Sequence, residues 1–483
     1  MTQEKKETII LVILLKKDEN LFEKIKEKGA QEIKFSFSPK RRWQVLDQRE
    51  REIDSKIKEI EKEIEEFKKE KNKLKILYDF WTIKKDILLA KERAKNFNLT
   101  FCLEGWVKKE DFSTLKKEVE RKFPGAYMKK LNVKREEEVP VFLENSKIFA
   151  PFEAITRFYG LPKPGNPDPT PFFAPFFAIS FAFCLTDAAY GIILSLLLFF
   201  LILWKKPKGE IGKFMKVFLF SAIATVILGA LFGGWFGIDL SKYSQNPVIS
   251  FLKKFQKIDP MNTPLLVLGL AIGLGVLQLL FGTAVRGVWA IIQKDKKEAV
   301  SKFAWVFLFV FLFLFAYSKT KSDSGVDIFE KLFYGYLLVF VGAQIWAQKT
   351  KNIFAKVFGG VGSLYGIINY FSDFLSFSRL MALGLSTAIV ALAVNLIAQV
   401  FKDLLPGILG FIAFFAILIV GHIFNIGMNC LSAFVHTLRL QFVEFFPKFT
   451  EAGGREFKPL SPNLKFVRVS DFKKVRKKVI NQK

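Results

Sequence analysis

Apolar positions fall into two regimes along the chain. Residues 1–139 set short apolar groups among dense Lys, Arg and Glu, whereas 172–446 consist largely of Phe, Leu, Ile, Val, Ala and Gly. The second regime holds several apolar runs of 18 residues or more, the mark of transmembrane helices. A water-soluble fold would need an implausibly large buried core. In the first regime, 7–38 predicts strand, helix, strand, over Thr8–Leu15, Asp18–Lys28 and Glu32–Phe37. From about Arg41 to Asn96 the pattern is helical and highly charged. Leu46, Ile53, Ile57, Ile60, Ile64, Phe67 and Leu74 follow alternating 3/4 spacing with two gaps, a heptad seam that wants a partner helix. A compact pattern then returns, with a strand Leu99–Val107, a helix Ser113–Lys122 and a strand-like stretch Tyr127–Val133, before a Pro-rich connector. The predicted class is mainly α: an arm over 1–139 (an α+β lobe, 1–40 and 97–133, on a coiled-coil helix 41–96), a connector 140–171, a polytopic membrane bundle 172–446 and a basic tail 447–483.

Charge places the spans. Basic loops occur at Lys205–Lys216, Lys294–Lys302 and Lys349–Lys356, and the tail Lys465–Lys483 is basic too. If all are cytoplasmic, the spans 217–238, 263–293, 303–318, 330–348, 360–400 and 407–446 alternate consistently. The arm should be cytoplasmic as well, so 172–204 crosses an even number of times. That stretch is short for two full helices, and a tight hairpin broken near Asp187 is expected, giving about eight membrane helices with both termini cytoplasmic in the cell membrane. The last two runs exceed the bilayer thickness and should be long and tilted. The net charge of +27 therefore reflects topology and contact with anionic membrane lipid, and nucleic acid is excluded as a partner.

Little else competes. Cys102, Cys184 and Cys430 are scattered and suggest neither a disulfide framework nor a metal site. Gly359, Gly360 and Gly362 lack the Lys-Ser/Thr of a phosphate loop. No nucleophile–base pair is visible and no cofactor is expected. Gly229, Gly233, Gly234 and Gly237 are read as sites of close helix packing.

The unusual residues are two arginines within apolar runs. Arg379 stands near the middle of 360–400, where Ser372, Ser376 and Ser386 give the helix a partly polar side. It either balances a structural acid or snorkels, with Asp373 as the candidate partner, or it borders water as a fixed positive charge. Arg439 ends a stripe of His422, Asn425, Asn429, Ser432, His436 and Arg439, whose steps of 3, 4, 3, 4 and 3 share one helix face. The stripe either knits helices together by hydrogen bonds or forms the wall of a hydrated half-channel in which His422 or His436 exchanges protons. Glu444 is either a solvated helix-end residue or an ion-gathering group at a cytoplasmic mouth. Asp187 is either a helix-breaking cap or part of an ion route.

The segments DPTPFFAPFFAISFAFCLTDAAYG, FSDFLSFSRLMALGLS, GHIFNIGMNCLSAFVHTLRLQFVEFFPKF and GGREFKPL resemble the membrane subunit of rotary V-type/A-type ATPases (subunit a or subunit I), over about residues 30–462. The resemblance implies a stator subunit that clasps a proteolipid (c/K) ring and carries H⁺ or Na⁺ through two half-channels, with ATP chemistry on other subunits. It implies that Arg379 separates the half-channels, that Arg439 is a second channel arginine, and that His436, Glu444 and the stripe line the route. Peripheral stalk subunits of E/G type would bind the arm. The family's arm is usually about twice as large and contains an antiparallel coiled coil. The seam's partner is therefore expected from a separate polypeptide, although a minimal arm or a truncated reading frame would give the same pattern. A stand-alone channel or secondary transporter would instead carry inverted repeats, which are not evident, and a scaffold would leave the arginines unexplained.

Overall fold

The computed structural model describes residues 39–97, 100–133, 137–207, 209–238, 247–320, 326–348, 350, 352–459 and 466. It divides into two compact units, 1–105 with 459–483, and 106–458.

The first unit is built on α1, Pro39–Glu92, a helix of 54 residues with neither Gly nor Pro after its first position, so nothing interrupts its ladder. The seam residues Ile53, Ile57, Ile60, Ile64, Phe67 and Leu74 are each between 46% and 68% exposed. The helix thus has the predicted stripe, open over most of its length. Lys95–Asn96 pairs antiparallel with Phe101–Cys102. Near the other end of the chain Phe466 lies edge-on to Tyr78, ring centroids 5.6 Å apart, and its amide donates to the Asp79 carboxylate at 3.0 Å. The expected strands and helix within 7–38 lie outside the described residues. The strand read over Leu99–Val107 shrinks to its paired residues Phe101–Cys102, Leu99 itself lying outside the described residues. Tyr127–Val133 carries no strand, because alternation builds a strand only where a neighbouring edge accepts its backbone groups.

The second unit opens with α2, Phe112–Lys122, beginning one residue before the predicted helix. The connector is pinned to the chain after the last membrane helix. Pro140–Val141 runs parallel to Arg455–Glu456, Pro162 bridges Ala452, and Lys163 donates to Glu451 at 2.8 Å. That hydrogen bond and the ammonium charge behind it hold the Glu451 carboxyl below its ordinary range. Short helix α3, Glu153–Tyr159, follows. Its Glu153 is 7% exposed and receives Lys213 at 2.9 Å and Asn145 at 3.2 Å, so the buried acid is satisfied from both sides.

The membrane bundle comprises α4 (Thr170–Leu185), α5 (Ala188–Lys205), α6 (Gly209–Phe232), short α7 (Pro247–Lys253), α8 (Pro264–Ile292), α9 (Lys296–Thr320), α10 (Val326–Ala347), α11 (Ile353–Gly362), α12 (Gly366–Ser376), α13 (Ser378–Leu404) and α14 (Ile408–Arg439). Among the described residues six segments are long and apolar enough to cross a membrane: α5, α6, α8, α9, the stacked run Ile353–Leu404 and Ile408–Lys448. The two that complete the expected eight are weaker in isolation. Helix α4 has only 16 residues, and α10 has 22 with Asp327, Glu330 and Lys331 near its start. The protein is a mainly α, multi-pass membrane protein.

The predicted break near Asp187 is present. Thr186 adopts φ 40°, ending α4, and Asp187 caps α5 by accepting the Tyr190 amide at 3.0 Å. Glycines on and just after α6 make room for this reversal. A Cβ on Gly234 would stand 2.2 Å from the Thr186 carbonyl, and one on Gly229 2.3 Å from the Ala188 nitrogen. The glycine cluster therefore packs helices, as its composition suggested. Phenylalanines fill the interior; Phe173, Phe177, Phe181, Phe445 and Phe446 are at most 1% exposed, and Phe446 meets Phe173 edge-on at 5.2 Å.

Candidate functional site

Arg379 sits in the first turn of α13, directly after buried Phe377. Phe377 occupies the space a side chain at Gly275 would need, which keys α8 to the start of α13. Gly384, one turn further on, lies 2.6 Å in Cβ distance from the Phe183 carbonyl, so α13 and α4 meet almost backbone to backbone. The guanidinium is thus held against the middle of the bundle, its Nη1 buried without a hydrogen-bond partner.

Around it gather side chains from the last helix. Arg379 acts electrostatically on His436, on Glu444 and on the buried Cys184 thiol. Arg439 acts on His436 and Glu444 as well, and Ser376 lies within reach of the Glu444 carboxylate. Two further atoms here are buried and unpartnered, His436 Nδ1 and Glu444 Oε2. A guanidinium, a carboxyl group and an imidazole thus act on one another, each with a buried polar atom that has no hydrogen-bond partner, an arrangement usual at functional sites and rare in structural cores.

Asp373 is not the acid that balances Arg379. Its carboxylate pairs with Lys448 at 2.5 Å, and Lys448 lies 3.9 Å from the Tyr370 ring centroid. The candidate acid of the sequence is thereby paired elsewhere, and the carboxyl group on which Arg379 acts is that of Glu444.

Glu444 reaches this space through a feature the helical pattern did not reveal. Leu440–Phe445 is a π-helical turn, in which the Phe446 amide donates to the Gln441 carbonyl five residues back. In an α-helix Glu444, eight residues after His436, would stand about 80° round the axis from it; the wider turn closes that angle and brings Glu444 to the side of His436. Such turns mark functional positions in many helices. The turn is fixed from α8 by Gln278, whose Nε2 donates to Gln441 Oε1 at 2.7 Å, both side chains being fully buried. Gln278 Oε1 and Gln441 Nε2 have no partner of their own.

The polar stripe on α14 separates into two groups. His436 and Arg439 belong to the space around Arg379, with Arg439 itself exposed. His422, Asn425 and Asn429 lie about 10–21 Å away from His436 along the helix axis and are joined to different residues. Tyr190 Oη and His422 Nδ1 are 2.6 Å apart, Asn425 donates to Tyr190 Oη at 2.9 Å, and Asn429 donates to the Asn425 carbonyl at 3.0 Å. Ser432 is half-buried between the two groups. Asp187 joins neither as a free carboxylate, because the backbone amides of Tyr190, Phe236, Ala189 and Gly237 surround it. Tyr190, Asn395, Gln278 and Gln441 are the participants sequence reasoning missed. Tyr190 stands one turn after Asp187, and the two glutamines are isolated amides in apolar runs, which was the available signal. No cluster of His, Cys, Asp or Glu suited to a metal occurs among the described residues.

The face outside this site is open. In Ile408–Lys448 only 11% of the most apolar window is buried within the chain, the smallest share among the six spans. Ile419, Ile423, Leu431 and Val435 are all exposed, on the helix that also carries exposed Arg439.

A polytopic helical bundle with a guanidinium, an imidazole and a carboxyl group held beside an uncovered apolar helix face defines a multi-pass membrane protein with ionisable side chains placed inside its bundle. Residues 20–240 and 366–462 match the V-type ATPase 116kDa subunit family, and the chain belongs to it. It is 29% identical to the A-type ATP synthase subunit I of Methanocaldococcus jannaschii over 82% of this chain and 60% of that protein, and 32% identical to the subunit I of Pyrococcus abyssi over 80% and 58%. A V-type ATP synthase subunit I of Borreliella burgdorferi is 24% identical over 56% of this chain and 45% of its own length. The chain thus spans about 60% of the length of the archaeal relatives it matches.

Proposed function

We propose that this chain is the ion-conducting membrane stator of a V/A-type rotary ATPase, carrying H⁺ or Na⁺ to and from a proteolipid ring. The observation that carries the reading is the meeting of Arg379, His436 and Glu444 beside α14, the most open span of the bundle. A ring of carboxylate-bearing helices is the partner suited to such a face. As a ring carboxylate leaves water it loses hydration, and a guanidinium that cannot deprotonate holds it ionised while its ion is released. The same fixed charge repels a cation that would pass straight between the half-channels, so transport is tied to ring movement. Glu444, His436, Ser376, Arg439 and the adjoining Ser432 and Asn429 form the wetted path on the stator side. The exposed seam of α1 supports the assignment of 1–139 as the arm, bound by a partner helix and by peripheral stalk subunits. The basic loops support cytoplasmic termini. ATP hydrolysis or synthesis takes place on other subunits of the complex.

The test is Arg379→Ala in the assembled complex, read as ATP-driven ion uptake into vesicles. Uptake should vanish while the ring still co-purifies; uptake at the wild-type rate rejects the assignment.

A further inference from the structure

Both histidines of the sequence stand on the polar stripe, and their surroundings differ in kind. His436 has a buried ring nitrogen with no partner. His422 has both ring nitrogens engaged, Nδ1 with Tyr190 Oη at 2.6 Å and Nε2 with Asn395 Oδ1 at 3.1 Å. The direction of each of these bonds can be read outward from two backbone carbonyls.

Asn395 Nδ2 donates to the Phe236 carbonyl at 2.7 Å. A carbonyl can only accept, so the amide oxygen of Asn395 is the atom that faces His422, and His422 Nε2 must carry the hydrogen. On the other side Asn425 Nδ2 lies 3.4 Å from the Thr387 carbonyl, which fixes that amide in the same way. Asn425 Nδ2 then donates to Tyr190 Oη. The Tyr190 hydroxyl, fully buried, accepts from Asn425 and directs its own hydrogen to His422 Nδ1. Both ends of the chain therefore demand one state: neutral imidazole, hydrogen on Nε2, bare Nδ1. The tautomer of a histidine is set by such neighbours.

We propose that His422 is the tautomer-locked centre of a clasp joining α5, α13 and α14, with Tyr190 and Asn395 as its positioning residues, and that it does not exchange protons with the translocated ion. Protonating Nδ1 would turn the Tyr190 hydrogen away from its acceptor inside the bundle and leave it stranded. The chain of bonds also ends in an amide and a backbone carbonyl, neither of which can hand a proton onward. The remaining groups facing the imidazole are the rings of Phe236 and Tyr190, centroids 5.3 and 5.8 Å away. Asp187, the acid nearest to Tyr190 in sequence, is occupied by backbone amides. The clasp fixes the rotation of α13, and with it the bearing of Arg379 sixteen residues upstream of Asn395. The division of labour between the two histidines rests on the ion-route reading above; the locked tautomer does not.

With only two histidines in the sequence, the state of each can be observed directly. The full chain, purified without a histidine tag and labelled with ¹⁵N-histidine in lipid nanodiscs, is followed by solid-state NMR from about pH 5 to about pH 8. The imidazole whose signals disappear in His422→Gln should show a bare Nδ1 and a protonated Nε2 at every pH. A protonated Nδ1 on that ring, at any pH in the range, overturns the proposal. In the assembled complex His422→Gln, which keeps a donor for Asn395 and cannot titrate, should pump within about 2-fold of wild type with an unshifted pH profile, whereas His422→Ala should lose at least about 10-fold. Loss in His422→Gln equal to that in His422→Ala, or a shifted profile, also overturns it. A locked tautomer in a complex that does not pump ions at all would reject the ion-route reading and leave the clasp standing.

Discussion

Arg379 and Asp373 are six residues apart, and their fates show how little sequence distance says about pairing. Asp373 is satisfied by Lys448, 75 residues away, while Arg379 keeps a bare Nη1 beside Glu444 and His436. The polar stripe made several site residues legible, because a 3/4 repeat of polar groups in an apolar run is visible without a structure. It could not reveal that the stripe serves two groups, since that depends on which neighbours meet each end. The glutamines were illegible for the same reason: Gln278 and Gln441 are single amides, and only their contact gives them a role. That contact makes a prediction. Gln278→Leu leaves the buried Gln441 amide unpaired and should destabilise the protein by about 1–3 kcal/mol, measured as loss of folded protein on heating in nanodiscs, whereas Gln278→Leu with Gln441→Leu together should recover most of it. A cycle in which the double variant is as unstable as the sum of the singles contradicts the pairing. Gln278 lies between the two segments, 20–240 and 366–462, that match the family, so this contact ties the intervening stretch to the matched helix that carries Glu444.

At the scale of elements, length, apolarity and the positive loops were enough to predict the order of helices and the hairpin near Asp187. The finer features escaped. The π-helical turn depends on one extra residue in a ladder, which a hydrophobic period cannot register, and the small strands of the arm depend on partners that alternation does not name. Asp187 had two open readings, and its four surrounding amides favour the cap. Asp187→Asn keeps a capping acceptor and should retain pumping and stability. Asp187→Ala should cost about 0.5–2 kcal/mol, read by thermal unfolding, along with a matching fall in assembled complex. Abolished pumping in a well-folded Asp187→Asn would instead make its charge part of the ion's route.

At the scale of the whole molecule, two apolar faces stand open: the α1 seam and the outer face of α14. A stripe of Ile and Phe left in water along a helix of 54 residues signals a partner. A single cysteine placed at Ile60 should react with a water-soluble maleimide in the purified chain and be protected at least about 10-fold when the arm is covered by a partner helix. Equal labelling in the complete complex would show that the seam stays bare.

The shortness of α4 has a consequence for the lipid around it. Its 16 residues rise about 24 Å, and the 18 of α5 rise about 27 Å, each below the roughly 30 Å of an average hydrocarbon layer. Their polar junction at Thr186 and Asp187 therefore lies short of the far headgroups. Thr186 and Asp187 are at most 5% exposed and most of α4 is buried, so the shortfall reaches lipid through the exposed face of α5, where each ångström of mismatch costs a fraction of a kcal/mol. A thick membrane would therefore meet a larger mismatch along α5 than a thin one.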